Sequence, residues 1–131
     1  MPSLDYAFRT CLSSDSPYFV NREYLTPKDA IDLIRASGGI PVLAHPLLYK
    51  LSVSQIRRLL DDLTSYGLCG IEAIYSRNRG TDEAFVRKLA DEYHLFITGG
   101  SDFHGANKPD IELGRGTGNL RVPVMLLENL R

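Results

Sequence analysis

Three side chains in this 131-residue sequence have the types and the placement to hold a cation: His45, Asp102 and His104. Asp102 and His104 stand two apart in Gly99-Gly100-Ser101-Asp102-Phe103-His104-Gly105. In an extended segment, residues two apart point the same way, and Phe103 between them points oppositely into packing. A carboxylate beside an imidazole offers the oxygen and nitrogen ligands that suit zinc, manganese or iron. The flanking glycines let the backbone turn sharply and approach a ligand closely. His45 lies in Ala44-His45-Pro46, directly after an apolar run, so all three side chains can converge on one centre. The structural readings of the same residues are a surface or capping histidine at 45 and an Asp-x-His turn cap at 102–104.

Other residues carry weaker chemical signals. Glu72 lies within a short apolar run and points either to the same rim or to solvent. Arg77 and Arg79 read as loop cations or as phosphate contacts, since a guanidinium fork matches phosphate oxygens. His94 falls at a helix end, where a cation complements the dipole. Cys69 packs as a small hydrophobe.

The elements that must position these groups alternate. A helix over about 4–11 precedes the turn-rich stretch Ser13-Ser14-Asp15-Ser16-Pro17. Thr26 is an N-cap, Pro27 suits the first helical position, and Asp29 sits near the positive end of the dipole. Ala30, Ile31 and Ile34 follow at helical spacing, and Gly38-Gly39 ends the helix. Ile40-Pro41-Val42-Leu43-Ala44 reads as a strand covered on both faces, with Pro41 confined to its first residues. Ser52 and Gln55 form a capping box for a helix whose stripe is Ile56, Leu59, Leu60 and Leu63, stopped at Gly67. A strand spans about Gly70–Ile74. Thr81 caps a helix with Phe85, Leu89 and Tyr93 on its buried face, and Leu95-Phe96-Ile97-Thr98 is the third strand. Leu120–Arg131 is a short extended piece to Pro123, then a closing helix.

An αβαβαβ order implies a parallel sheet with right-handed crossovers, and its functional groups gather at the carboxyl ends of the strands. Three strands are few for an open α/β domain, and a closed barrel needs about 200–250 residues. The sequence therefore reads as a segment of a larger α/β barrel. Fifteen basic and sixteen acidic residues exclude a strongly basic nucleic-acid wrapper or a polybasic membrane patch as the main theme. No apolar run approaches the roughly 18 residues that cross a bilayer. The first residues lack a signal-peptide pattern, and two cysteines without a CxxC pair suit a reducing compartment, so a cytoplasmic protein is expected.

The segment 38–46, ending in Ala44-His45-Pro46, together with Gly99–Gly105 resembles the C-terminal half of a PHP domain, the polymerase and histidinol phosphatase superfamily of metal-dependent phosphoesterases. Gly70–Tyr75 and Leu113-Gly114-Arg115 resemble the subgroup that includes nucleoside 3′,5′-bisphosphate phosphatases. The likeness runs from about Tyr24 to Leu130. It implies an α/β fold: a partial (β/α) barrel of PHP type, mainly parallel strands with flanking helices, the first half of the barrel missing. Residues 1–26 would be the end of an inserted helical subdomain or a linker, and 27–131 the C-terminal part of the barrel. The resemblance implies His45, Asp102 and His104 as ligands of divalent metal ions (Mn, Zn, Fe or Mg). It implies hydrolysis of a phosphorylated small molecule or nucleotide, whose phosphate Arg77, Lys108 or Arg115 would hold. The sequence departs from the family in having three histidines and no His-x-His pair. A weakly active or inactive chain is expected, which pairs with the missing N-terminal half or forms a homodimer. The alternative is a non-enzymatic partner-binding or regulatory remnant of the fold. A nucleotide-binding half-domain ranks below both, because Gly99-Gly100 lacks the GxGxxG spacing.

Overall fold

Helix caps and short apolar runs divide the chain, and the computed structural model describes residues 4–20 and 23–130. The element order is α1 (Leu4–Cys11), α2 (Pro27–Ala36), β1 (Val42–Leu43), α3 (Val53–Ser65), β2 (Gly70–Tyr75), α4 (Asp82–Tyr93), β3 (Phe96–Gly100) and α5 (Met125–Glu128). Short 3₁₀ turns span Pro46–Tyr49 and Gly105–Asn107. Thr26 accepts the backbone N–H of Asp29 at the start of α2. Ser52 and Gln55 cap each other's backbone reciprocally at the start of α3. Each arrangement satisfies N–H groups that a helix leaves without partners.

The three strands form one parallel sheet in the order β1-β2-β3. Ile56, Leu60 and Leu63 of α3 and Val86, Leu89 and Ala90 of α4 form the core with Ile71 and Ala73 of β2. Full burial of each large aliphatic side chain is worth about 1.5–3 kcal/mol, which fixes the helices on one face of the sheet.

Several expectations are corrected. β1 is only Val42–Leu43, not 40–44, because Pro41 has no N–H to give. Its carbonyl instead receives the N–H groups of Cys69 and Gly70, so it seeds the pairing from outside the strand. The third strand runs over Phe96–Gly100 and takes in both glycines. Thr81 makes no side-chain cap; Asp82 accepts the N–H of Arg79 in its place. Ile34 is 40% exposed, so α2 buries Ile31 but not the whole predicted stripe.

The β2–β3 register carries a bulge. Glu72 pairs with Thr98, but the next pair is Ile74 with Gly99, then Tyr75 with Gly100. In a regular strand Glu72 and Tyr75, three apart, would face opposite sides. The shift re-aims the end of β2, as bulges do, and both side chains then serve the same rim. Gly99 and Gly100 make this possible. A β-carbon on Gly99 would lie 2.7 Å from the Ile74 β-carbon, and one on Gly100 would lie 2.8 Å from Glu72 Oε1.

Candidate functional site

The rim at the carboxyl ends of the strands is built from two linked clusters. At the end of β1 the backbone turns left-handed at His45 (φ 33°) before Pro46. The His45 N–H donates to Glu72 Oε2 at 2.8 Å, so β2 holds the turn in place. The imidazole lies against Tyr75 at 5.7 Å between ring centroids and against Tyr49 at 6.4 Å. Its Nδ1 is buried and has no hydrogen-bond partner. An unpaired buried polar atom forfeits its hydration, so a site of this kind suits a ligand that supplies the missing bond.

The second cluster centres on Asp102. Its Oδ2 accepts the Tyr75 hydroxyl at 3.0 Å and Lys108 Nζ at 2.5 Å. His104 turns its Nδ1 to the Asp102 carbonyl oxygen at 2.8 Å, 3.3 Å from Asp102 Oδ1. The Asp102 backbone is left-handed (φ 57°), so 102–104 is not the extended segment expected, and Phe103 is 46% exposed rather than packed. The aspartate and histidine are neighbours through a turn, not through strand alternation. Tyr75 joins the two clusters, with its ring on His45 and its hydroxyl on Asp102.

The electrostatics follow from this arrangement. Burial pushes the Glu72 carboxyl up, the His45 N–H and imidazole pull it partly back, and the Asp102 charge adds to the rise. The Lys108 hydrogen bond leads the causes that hold Asp102 below the usual aspartate value, with Tyr75 and His104 contributing against desolvation. Burial, and then the bond to Asp102, raise the Tyr75 hydroxyl to about 12. At neutral pH the tyrosine is therefore a neutral donor to an ionised aspartate.

Of the sequence-derived candidates, Asp102, His104 and Lys108 meet in one cluster, and His45 adjoins it through Tyr75. Arg77 and Arg115 stand in ion pairs of their own, with Asp110 at 3.7 Å and Glu112 at 3.6 Å. Among the described residues, no three His, Cys, Asp or Glu side chains are gathered as a metal-holding group. The donor chemistry still fits a divalent cation: an unpaired buried imidazole nitrogen, an ionised carboxylate and a second imidazole beside it. Glu72 and Tyr75 also meet at this rim, although spacing alone left Glu72 between rim and solvent. The signal for Glu72 was a lone charge inside the apolar run Gly70–Tyr75.

A clamp supports the rim from behind. Ser76 Oγ donates to the Ser101 carbonyl at 2.9 Å, and Ser101 Oγ accepts the N–H of Gly114 at 3.2 Å. This ties the ends of β2 and β3 to the 112–120 loop, where Gly116 (φ 60°) passes too close to Ser76 for any side chain.

No protein-family model matches the chain. It is 34% identical over 113 residues to the 5′-3′ exoribonuclease Rnm of Escherichia coli, covering 86% of this chain and 38% of the relative. It is 32% identical over 108 residues to the 3′,5′-nucleoside bisphosphate phosphatase of Chromobacterium violaceum, covering 82% and 38%. Among solved structures, it superposes on a metal-dependent phosphoesterase from Bifidobacterium adolescentis with a TM-score of 0.65 and 27% identity, covering 95% of this chain and 42% of the other. A Chromobacterium violaceum amidohydrolase with bound sulfate and no metal gives a TM-score of 0.63 and 31% identity, covering 79% and 37%. The chain thus spans about two-fifths of the length of these relatives, a share that fits a C-terminal half. The relatives are hydrolases by name, and the chain is similar to them along about two-fifths of their length, a likeness that agrees with the resemblance to PHP-type phosphoesterases.

Proposed function

We propose that His45, Asp102 and His104 contribute to a centre for metal-assisted hydrolysis of phosphate esters, acting on a nucleotide or another small phosphorylated substrate. The observation that carries this reading is the buried, unpaired Nδ1 of His45 on the rim shared with Asp102. The three side chains would hold a divalent ion (Mn, Zn, Fe or Mg). Bound there, the ion supplies Lewis acidity to a water or a phosphoryl oxygen. Glu72 fixes the His45 turn, Tyr75 orients Asp102, and the glycines at 99 and 100 leave room for both.

Lys108, Arg77 and Arg115 are the candidate phosphate contacts. The exposed ion pairs of the two arginines are weak enough for a phosphate dianion to exchange with. The bound sulfate of the Chromobacterium structure and the names of the relatives support an anionic, phosphorylated substrate. In the same reading, residues 27–131 are the C-terminal part of a PHP-type barrel and 1–26 the end of an inserted helical subdomain or a linker. The 131-residue chain alone hydrolyses phosphate esters slowly or not at all, and its partner is the other half of such a barrel or a second copy. We read the location as cytoplasmic, a reading that the unpaired Cys11 and Cys69 support.

Metal content tests the reading. After equilibration with manganese and removal of excess, the chain is expected to retain stoichiometric metal at neutral pH, and His45→Ala and Asp102→Asn to lose most of it. Equal metal in all three proteins would overturn it.

A further inference from the structure

We propose that Lys108 is a tethered cation that competes with a divalent ion for Asp102, so that metal entry releases its ammonium to the substrate phosphate. This inference rests on the metal-centre reading above and adds an order of events to it.

Asp102 Oδ2 already accepts two donors, the Tyr75 hydroxyl and Lys108 Nζ. A divalent ion taking that carboxylate would stand within a few ångströms of the ammonium, where two cations repel strongly in a partly desolvated site. The neutral Tyr75 hydroxyl can stay, so Lys108 is the donor that yields. The backbone at Lys108 is held on both sides, by its own N–H on the Gly105 carbonyl at 3.1 Å and by the Ile111 N–H on its carbonyl at 3.0 Å. Only the four-carbon stem must move, and it ends in three rotatable donors that suit a phosphate. The Lys108 side chain is 31% exposed against 15% for Asp102, so its way out to the rim is open. Arg77 and Arg115 pair with Asp110 and Glu112 and not with Asp102, so metal entry does not release them. The consequence is coupling: metal raises phosphate affinity, and by linkage phosphate raises metal affinity.

Calorimetric titration of the full chain with manganese, and with inorganic phosphate in the presence and absence of manganese, tests this. Lys108→Met should bind manganese roughly tenfold tighter, the scale of one charge pair removed, and should lose the metal-induced gain in phosphate affinity. Lys108→Gln repeats the test with a polar side chain. Tyr75→Phe should not tighten manganese. Unchanged or weaker manganese binding in both Lys108 variants, while His45→Ala still abolishes it, would overturn the competition and leave the metal centre standing. No manganese binding by the unaltered chain would overturn both.

Discussion

At the scale of single residues, Glu72 bears the electrostatic cost of the rim. It is held half-buried by its bond to the His45 N–H, and its carboxyl titrates above the ordinary value chiefly through burial. An acid whose folded-state pKa is raised binds its proton more tightly when folded. Its contribution to stability is therefore greatest in acid and falls as pH rises from the ordinary glutamate range into the raised one. Glu72→Gln keeps an oxygen for the His45 N–H and removes the charge. Urea midpoints measured across mildly acidic pH should show that downward slope in the unaltered chain and a shallower one in the variant. Identical slopes would mean that Glu72 is not desolvated. Asp102 has the opposite sign, since Lys108 stabilises its ionised form.

At the scale of elements, the site depends on how β2 and β3 end. The bulge after Glu72 brings Tyr75 round to the rim, and Gly99 sits opposite Ile74 where the strands come closest. Gly99→Ala would place a methyl 2.7 Å from the Ile74 β-carbon and 2.9 Å from Val122 Cγ2. The overpacking should cost about 1–3 kcal/mol, read as a lower urea midpoint, and an unchanged midpoint would show that the strands can part without penalty. Local signals of this kind divide the legible from the illegible. The Thr26 cap and the Ser52–Gln55 box were readable because each is closed within four residues. The parallel sheet was readable from alternation. The bulge was not, because it is a relation between two strands 25 residues apart, and without it Glu72 and Tyr75 read as facing opposite ways. The Asp102–His104 pair was found by spacing for the wrong local reason: a left-handed turn, not an extended strand, sets it. Thr81 was misread because its neighbour Asp82 is the better acceptor for the turn that precedes α4.

At the scale of the whole molecule, α3 and α4 cover one face of the sheet, and the other meets the C-terminal segment at β3 but leaves apolar side chains exposed. Val42, Gly70 and Phe96 are neighbours on that face, and Phe96 is 46% exposed. Val122, Val124, Met125 and Leu127 also expose apolar surface after β3. Both edges of a three-stranded sheet carry unpaired backbone groups, the usual template for further pairing. Light scattering of the purified chain should therefore report a dimer or larger species, and Phe96→Lys should shift it toward monomer. A monodisperse monomer would show that this face is stable in water. No helix among the described residues is long and apolar enough to cross a membrane.

The central claim is that His45 and Asp102, 57 positions apart in the sequence, serve one cation. Anomalous diffraction from crystals grown with manganese tests it most directly. A peak is expected within about 2.3 Å of both His45 Nδ1 and an Asp102 carboxylate oxygen, with Lys108 Nζ moved away from Asp102. Manganese bound elsewhere, or absent from the rim while Lys108 remains on Asp102, would contradict it.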